Sequence, residues 1–238
     1  MTYVRRLAIS LAAVLLLTIS SAGAREAPGI SARSAIVINC ETGRVLYEKN
    51  ADARMLIAST TKIMTALIVL EKCRPNEIVA IKPEYTGIEG SSSYLAAGES
   101  LTVRELLYCL LLQSGNDSAV ALACHTAGSI DEFAKLMNDK ASELGCVNSS
   151  FKNPHGLDED GHYSCARDLA AITRAAMEHK LFRTIVATES CSIGTRYLSN
   201  HNKLLSMYSG CTGVKTGYTK AAGRSLVSSA EKHGERLI

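Results

Sequence analysis

Strand-like runs at both ends of the chain enclose a long helical block, and this arrangement restricts the fold more than any other feature of the 238 residues. Residues 35–39 and 44–48 read as two strands joined by Cys40-Glu41-Thr42-Gly43, with Gly43 suited to the positive-φ position of a hairpin turn. A helix is expected to begin near Ser59 and run through Ile63, Leu67 and Leu70. Thr102 with Glu105 forms a capping box that opens the apolar run 106–112. Ser114-Gly115-Asn116 interrupts that run before a second helix over 117–127. Ser129 with Glu132 opens another helix, ended by Gly145, and Ser164 is expected to cap a further helix through Arg167 and Met177. Past residue 188 the pattern turns to short strands over 192–194, 213–216 and 225–230, with glycine-rich turns between them. The expected fold is α/β: one antiparallel sheet built from both chain ends, with a helical lobe inserted between them.

Residues 1–24 read as a secretory leader. Arg5 and Arg6 precede a 13-residue apolar stretch, too short to span a membrane comfortably, and Ala22-Gly23-Ala24 offers a small-x-small cleavage pattern. The protein is therefore expected to be exported to the cell envelope, with residues 25–238 as the working domain. A net charge of +3, three Phe and no Trp argue against nucleic-acid binding. The eight cysteines lie at least 15 residues apart, so no C-x-x-C metal knuckle or redox pair exists. Cys109 and Cys124 fall at apolar helical positions and read as buried free thiols. No disulfide, metal or cofactor is expected.

Three short patterns carry the chemistry: Ser59-Thr60-Thr61-Lys62, Ser114-Gly115-Asn116 and Lys215-Thr216-Gly217. Each is weak alone. S-x-x-K recurs at Ser149 and Ser229, both of which read as surface serines, and only Ser59 precedes the other two elements. Positions i and i+3 share a helix face, so Lys62 can reach the Ser59 hydroxyl from the next turn. A serine hydroxyl needs a base, and lysine serves as one only when burial or a nearby cation such as Lys215 strips its proton. Taken separately, Ser59 could be a plain N-cap, Ser114 and Asn116 a helix C-cap and N-cap, and Lys215 an edge-strand lysine. Their ordered combination is not readily explained that way.

The ordered trio resembles the serine penicillin-binding protein and β-lactamase superfamily. The surrounding residues are more specific. Ile57-Ala58-Ser59-Thr60-Thr61-Lys62-Ile63-Met64, Leu112-Gln113-Ser114-Gly115-Asn116-Asp117, Asn153-Pro154-His155-Gly156-Leu157-Asp158 and Gly213-Val214-Lys215-Thr216-Gly217-Tyr218-Thr219 resemble the low-molecular-weight serine D-alanyl-D-alanine carboxypeptidases over nearly the whole mature chain. The resemblance implies a β-lactamase/D,D-peptidase-like fold. It also implies that Ser59 attacks the carbonyl between two D-alanines of a peptidoglycan stem peptide while Lys62 accepts its proton. Ser114 would pass a proton to the leaving amine, and Asn116 would hold the substrate amide and Lys62. Lys215 and Thr216, followed by Gly217, would bind the terminal carboxylate, and the amides of Ser59 and Tyr218 would form the oxyanion hole. β-Lactam antibiotics would be covalent inhibitors. His155 belongs to a motif near the cleft but carries little expectation of a catalytic role.

Two other functions compete. A β-lactamase of class A needs a glutamate to activate the deacylating water; here Gly115 stands for the aspartate of S-D-N, and no E-x-x-L-N is present. An inactive penicillin-binding-like protein draws its support from the chain end. There 225–230 is strand-like, Lys232-His233-Gly234-Glu235 reads as a turn, and Arg236-Leu237-Ile238 opens another strand. The resembling family continues past this point and often adds a β-rich domain and a membrane-binding tail. The sequence therefore leads us to expect a catalytic domain truncated at its C-terminal end, with an exposed sheet face, an unpaired strand edge, and any peripheral membrane association carried by a segment outside these residues.

Overall fold

The structure, a computed structural model, describes residues 29–238; the expected leader, 1–24, lies outside the described residues. Strands β1 (Ala35–Ile38) and β2 (Val45–Lys49) form an antiparallel hairpin with Ile36 opposite Glu48, and Gly43 turns it at φ +72°. Strands β7 (Cys211–Thr219), β8 (Gly223–Lys232) and β9 (Glu235–Leu237) form a meander. His233 and Gly234 turn β8 into β9 with positive φ at both residues, the conformation of a two-residue hairpin loop. The two chain ends then join. The Ile38 amide donates to the Ile238 carbonyl at 2.8 Å, the Ile238 amide to the Ile38 carbonyl at 3.0 Å, and the Cys40 amide to the Arg236 carbonyl at 2.8 Å. The order is therefore β2-β1-β9-β8-β7, one sheet from both ends as the sequence leads one to expect. The last strand is not the unpaired edge anticipated for it, because it bonds on both sides.

The inserted lobe holds helices α1 (Lys62–Lys72), α2 (Val103–Leu111), α3 (Asn116–Ala127), α4 (Ile130–Glu143), α5 (Ala166–Ala176) and α6 (Lys180–Val186), with a short α7 (Leu204–Met207) before β7. Two ribbons flank it: β3 (Ile78–Ala80) with β4 (Ser100–Thr102), which the sequence reading lacks, and β5 (Ser190–Ile193) with β6 (Arg196–Ser199), of which it expected only a strand over 192–194. At α2 the capping box is complete, with the Glu105 amide donating to Thr102 Oγ1 and the Thr102 amide to Glu105 Oε2. At α4 only half forms. Ser129 accepts from the Glu132 amide, while the Glu132 carboxylate turns to Lys135. At α5 the cap is Cys165, whose sulfur accepts from the Asp168 amide, and not Ser164. Ser164 is held extended by backbone bonds to Met55, and its hydroxyl meets Ser149.

Helix α1 is central. Every residue from Lys62 to Val69 is buried, an all-round burial that only a core helix shows. Around it pack Leu106, Leu107 and Leu110 of α2, Ala119 and Ala123 of α3, and Phe133 and Met137 of α4. The eight cysteines are free thiols. Cys109 is fully buried, which pushes its thiol up to about 12, whereas Cys124 is only half-buried. Among the described residues no helix is long and apolar enough to cross a membrane.

Phe151 is fully buried and meets the His162 ring edge-on at 5.8 Å between centroids. Phe151→Ala should cost about 3–5 kcal/mol through the cavity it leaves. Urea unfolding followed by circular dichroism would read this as a lower midpoint, and an unchanged midpoint would show that the site collapses around the gap.

Candidate active site

Residues Ala58–Thr61 make a single tight 3-10 turn that leads into α1, with Ala58 at φ +48°. The turn leaves Ser59 half-exposed and sends Lys62, at the first residue of α1, into the core with 0% of its surface accessible. The Lys62 amine has three neighbours: Ser59 Oγ at 2.9 Å, Asn116 Oδ1 at 2.7 Å and the His155 carbonyl at 2.8 Å. A neutral amine has two N–H donors and one lone pair. The Asn116 and His155 oxygens can only accept, so they take both donors and leave the lone pair facing the Ser59 hydroxyl. Burial, and then the charge of Lys215, hold the Lys62 pKa well below its ordinary value.

Asn116 stands at the first residue of α3, beyond a turn in which Ser114 has φ +62°. Gly115 fits there because a Cβ would lie 2.2 Å from Ser93 Oγ and 2.6 Å from Asp117 Oδ1. This crowding explains why an aspartate is absent at that position. The Asn116 amide group donates to the Glu89 carbonyl, so its side chain is held from both sides. Asp117, which sequence reasoning treated only as a helix start, is buried and collects five donors: the hydroxyls of Ser92, at 2.7 Å, and Ser118, at 3.3 Å, and the amides of Ser93, Leu95 and Ser118. It fastens the 91–95 loop beside the cleft. An acid in the first turn of a helix, directly after the motif, was the available signal.

The 153–158 loop delivers the second acceptor. Asn153 Oδ1 accepts from the Gly156 amide, and Thr65 donates to the Pro154 carbonyl at 2.6 Å. Gly156 has φ +87°, and a Cβ there would lie 2.0 Å from the Ala58 carbonyl oxygen. The His155 ring is not the working part. Burial pushes its pKa down to about 3, Nδ1 accepts from the Leu157 amide, and the backbone carbonyl is what reaches Lys62. His162 was overlooked. Its Nδ1 accepts from the Lys152 amide, so Nε2 carries the proton and donates to Thr61 Oγ1 at 2.9 Å, bracing the nucleophile turn. The other two S-x-x-K serines are not surface residues: Ser229 is buried against Thr212, and Ser149 bonds to Asp168.

Strand β7 closes the site. Gly217 lies so near the nucleophile turn that a Cβ would sit 3.0 Å from the Ser59 amide nitrogen. Lys215 is 1% exposed, donates to the Thr216 carbonyl, and is pushed down to about 7 by burial. Thr219 Oγ1 donates to Asp158 Oδ1, tying β7 to the 153–158 loop. A cleft of roughly 700 Å³ runs along this edge, lined by Ser59, Ser114, Thr216, Gly217 and Tyr218 and also by His201, Lys203 and Arg224. Asn116, His155 and Leu157 line an adjoining pocket that shares Ser59 and Tyr218. The structure thus brings all eight expected residues together, with Lys62 and Lys215 buried behind the wall. His201, Lys203 and Arg224 carried no motif that would have marked them.

The profile of the peptidase S11 family, D-alanyl-D-alanine carboxypeptidase, matches residues 21–238. The chain is 41% identical over 217 residues to D-alanyl-D-alanine carboxypeptidase DacF of Bacillus subtilis (strain 168), covering 87% of this chain and 56% of the relative. It is 38% identical over 227 residues to DacA of Escherichia coli (strain K12), covering 89% and 56%. The chain therefore spans about half the length of these two curated relatives. Among solved structures, the Streptomyces K15 DD-transpeptidase superposes with a TM-score of 0.84 at 37% identity, covering 88% of each chain. Sequence, fold and the serine–lysine geometry agree, and the chain belongs to the D-alanyl-D-alanine carboxypeptidase family of serine peptidases, peptidase S11.

Proposed function

We propose that residues 25–238 form the catalytic domain of a serine D-alanyl-D-alanine carboxypeptidase that removes the terminal D-alanine from peptidoglycan stem pentapeptides. The observation that carries this is the fully buried Lys62 amine, its pKa held well below the ordinary value, 2.9 Å from Ser59 Oγ. Ser59 Oγ attacks the carbonyl between the two D-alanines as its proton moves to Lys62. The oxyanion forms near the Ser59 amide and, across Gly217, the Tyr218 amide; one such donor is typically worth ~10²–10³ in rate. The C–N bond then breaks. Ser114, on the cleft wall, relays a proton to the leaving amine, and an ester to Ser59 remains for water to hydrolyse. Asn116 keeps Lys62 in place, and its contact with the substrate amide is part of the same reading. Lys215 and Thr216 receive the terminal carboxylate, with Lys203 and Arg224 adding positive potential.

β-Lactams would acylate the same serine. Rapid release of that acyl group is not expected, because no acidic side chain lines the cleft among the described residues. The expected leader and the proposed substrate both support a location outside the cytoplasmic membrane, in the cell envelope. Peripheral membrane contact would need a segment other than those described.

Ser59→Ala should abolish labelling by a fluorescent penicillin and release of D-alanine from a stem pentapeptide. Lys62→Arg should do nearly the same, since a guanidinium does not give up its proton near neutral pH. Turnover retained in Lys62→Arg would point to another base. Mass spectrometry that places the adduct on any peptide other than the one holding Ser59 would overturn the assignment.

The two lysines also set a pH profile. Acylation needs Lys62 neutral, so its rate should fall on the acid side as that amine gains a proton. Binding of a carboxylate needs Lys215 charged, so in the free enzyme the rate should fall on the alkaline side from about pH 7. Lys215→Arg should move the alkaline limb upward whatever its effect on the maximum. Second-order acylation rates across pH check this, and an alkaline limb that stays in place would remove Lys215 from the carboxylate site.

A further inference from the structure

Far from the cleft, three ligand-type side chains converge at the opposite end of α1. Cys73 caps the C-terminus of α1, Glu77 follows in the loop leading to β3, and His125 sits in the last turn of α3. Their sulfur, carboxylate oxygen and ring nitrogen all lie within 4.8 Å of one another. His125 Nε2 is 3.2 Å from Glu77 Oε2. The Cys73 sulfur is half-buried, while His125 is open to solvent. We propose that Cys73, Glu77 and His125 form a binding site for a zinc ion, with water completing a tetrahedral shell.

Four observations support the assignment. First, the donor set is one thiolate, one carboxylate and one imidazole, which suits a borderline-soft divalent ion and not calcium or magnesium. Second, tetrahedral coordination at bond lengths of about 2.0–2.3 Å separates ligand atoms by roughly 3.3–3.8 Å. The Glu77–His125 pair is already there, and the sulfur needs only a small movement. Third, the C-terminal ends of α1 and α3 both point here, and helix C-termini favour positive charge. Fourth, the carboxylate is oriented from behind: the Arg74 amide donates to Glu77 Oε1 at 3.0 Å, leaving Oε2 to face the histidine.

Binding balances as Zn²⁺ plus the Cys73 thiol giving a zinc thiolate and one proton released to solvent. The thiol now contacts Thr126 Oγ1 at 3.3 Å, and because binding releases its proton, uptake should weaken as pH falls. Two negative ligands then match the charge of the ion, with Lys72 and Arg74 as the flanking cations. The sequence expectation of no metal rested on paired-cysteine spacing, which this C-x-x-x-E pattern with a histidine 48 residues further on does not show. The ion would pin the 73–77 loop and the end of α3 together, some 16 Å along α1 from Lys62 at 1.5 Å per residue, and would stabilise without touching the reaction.

The test is a titration of the purified full chain with Zn²⁺ against a chromogenic chelator, repeated with Co²⁺ to look for a thiolate-to-cobalt charge-transfer band. One ion per chain is expected, with a higher thermal midpoint in Zn²⁺ and unchanged penicillin acylation at Ser59. His125→Gln should weaken binding by more than the ~10–100-fold that losing an outer partner costs, and Cys73→Ser should also remove the cobalt band. No stoichiometric uptake, or equal uptake and an equal band in both variants, would overturn the site. Because His125 is exposed, its variant should fold normally and keeps the test decisive if Cys73→Ser does not.

Discussion

Everything in the catalytic half of the molecule is arranged around one buried amine. A lysine carried charged into a dry interior would cost several kcal/mol. Burial and the nearby Lys215 charge favour the neutral form of Lys62, and its three partners are as many as a neutral amine can use. Remove either carbonyl-type acceptor and an N–H loses its partner, or the lone pair turns away from Ser59. On the proposed mechanism, the chemistry depends less on serine and lysine being three residues apart than on two loops, distant in sequence, meeting the lysine nitrogen at the correct side.

That requirement explains features that otherwise look unrelated. α1 must be buried on every side so that its first residue opens into the core. The 153–158 loop must bring a carbonyl into the protein interior, and it does so with Asn153 closing the turn, Thr65 holding Pro154, and glycine at 156, where no Cβ fits. The 91–95 loop is gathered by Asp117, and the nucleophile turn is braced by His162. On the other side, β7 can approach the turn closely because Gly217 lacks a side chain. The sheet that carries β7 is closed by β9, which bonds to β1 from the other chain end.

Much of this was legible from residue patterns, and the limits are instructive. Capping at Thr102, the hairpin at Gly43 and the two-ended sheet follow from local turn and helix chemistry, which the sequence states directly. The serine cap misplaced by one residue at Ser164 failed because a backbone bridge to Met55 outranked side-chain preference. The strands at 78–80, 100–102 and 196–199 are too short to show a period, and α6 has only seven residues. In the site, the motifs found seven of the expected residues, and the family resemblance added Tyr218. Spacing could not find His162 or Asp117, whose importance is contact with a loop far along the chain, nor that His155 acts through its carbonyl. Nor could it show that both lysines lie behind the cleft wall, since a lysine on a strand reads as an exposed one.

The two buried lysines are more informative together than apart. Burial lowers both, and Lys215 charge lowers Lys62 further, so a proton on one opposes a proton on the other. In the free enzyme Lys215 sits near the midpoint of its titration around neutral pH. On the proposed reading, a substrate arrives with a carboxylate that needs a cation. Its binding holds the proton on Lys215, and the proton that Lys62 must not carry has a better place to be. Pairs of titratable groups whose environments separate their roles mark the acid and base of many active sites. Here the separation is completed by the ligand: the group that anchors the substrate is charged by it, and the group that activates the nucleophile is left with its lone pair free.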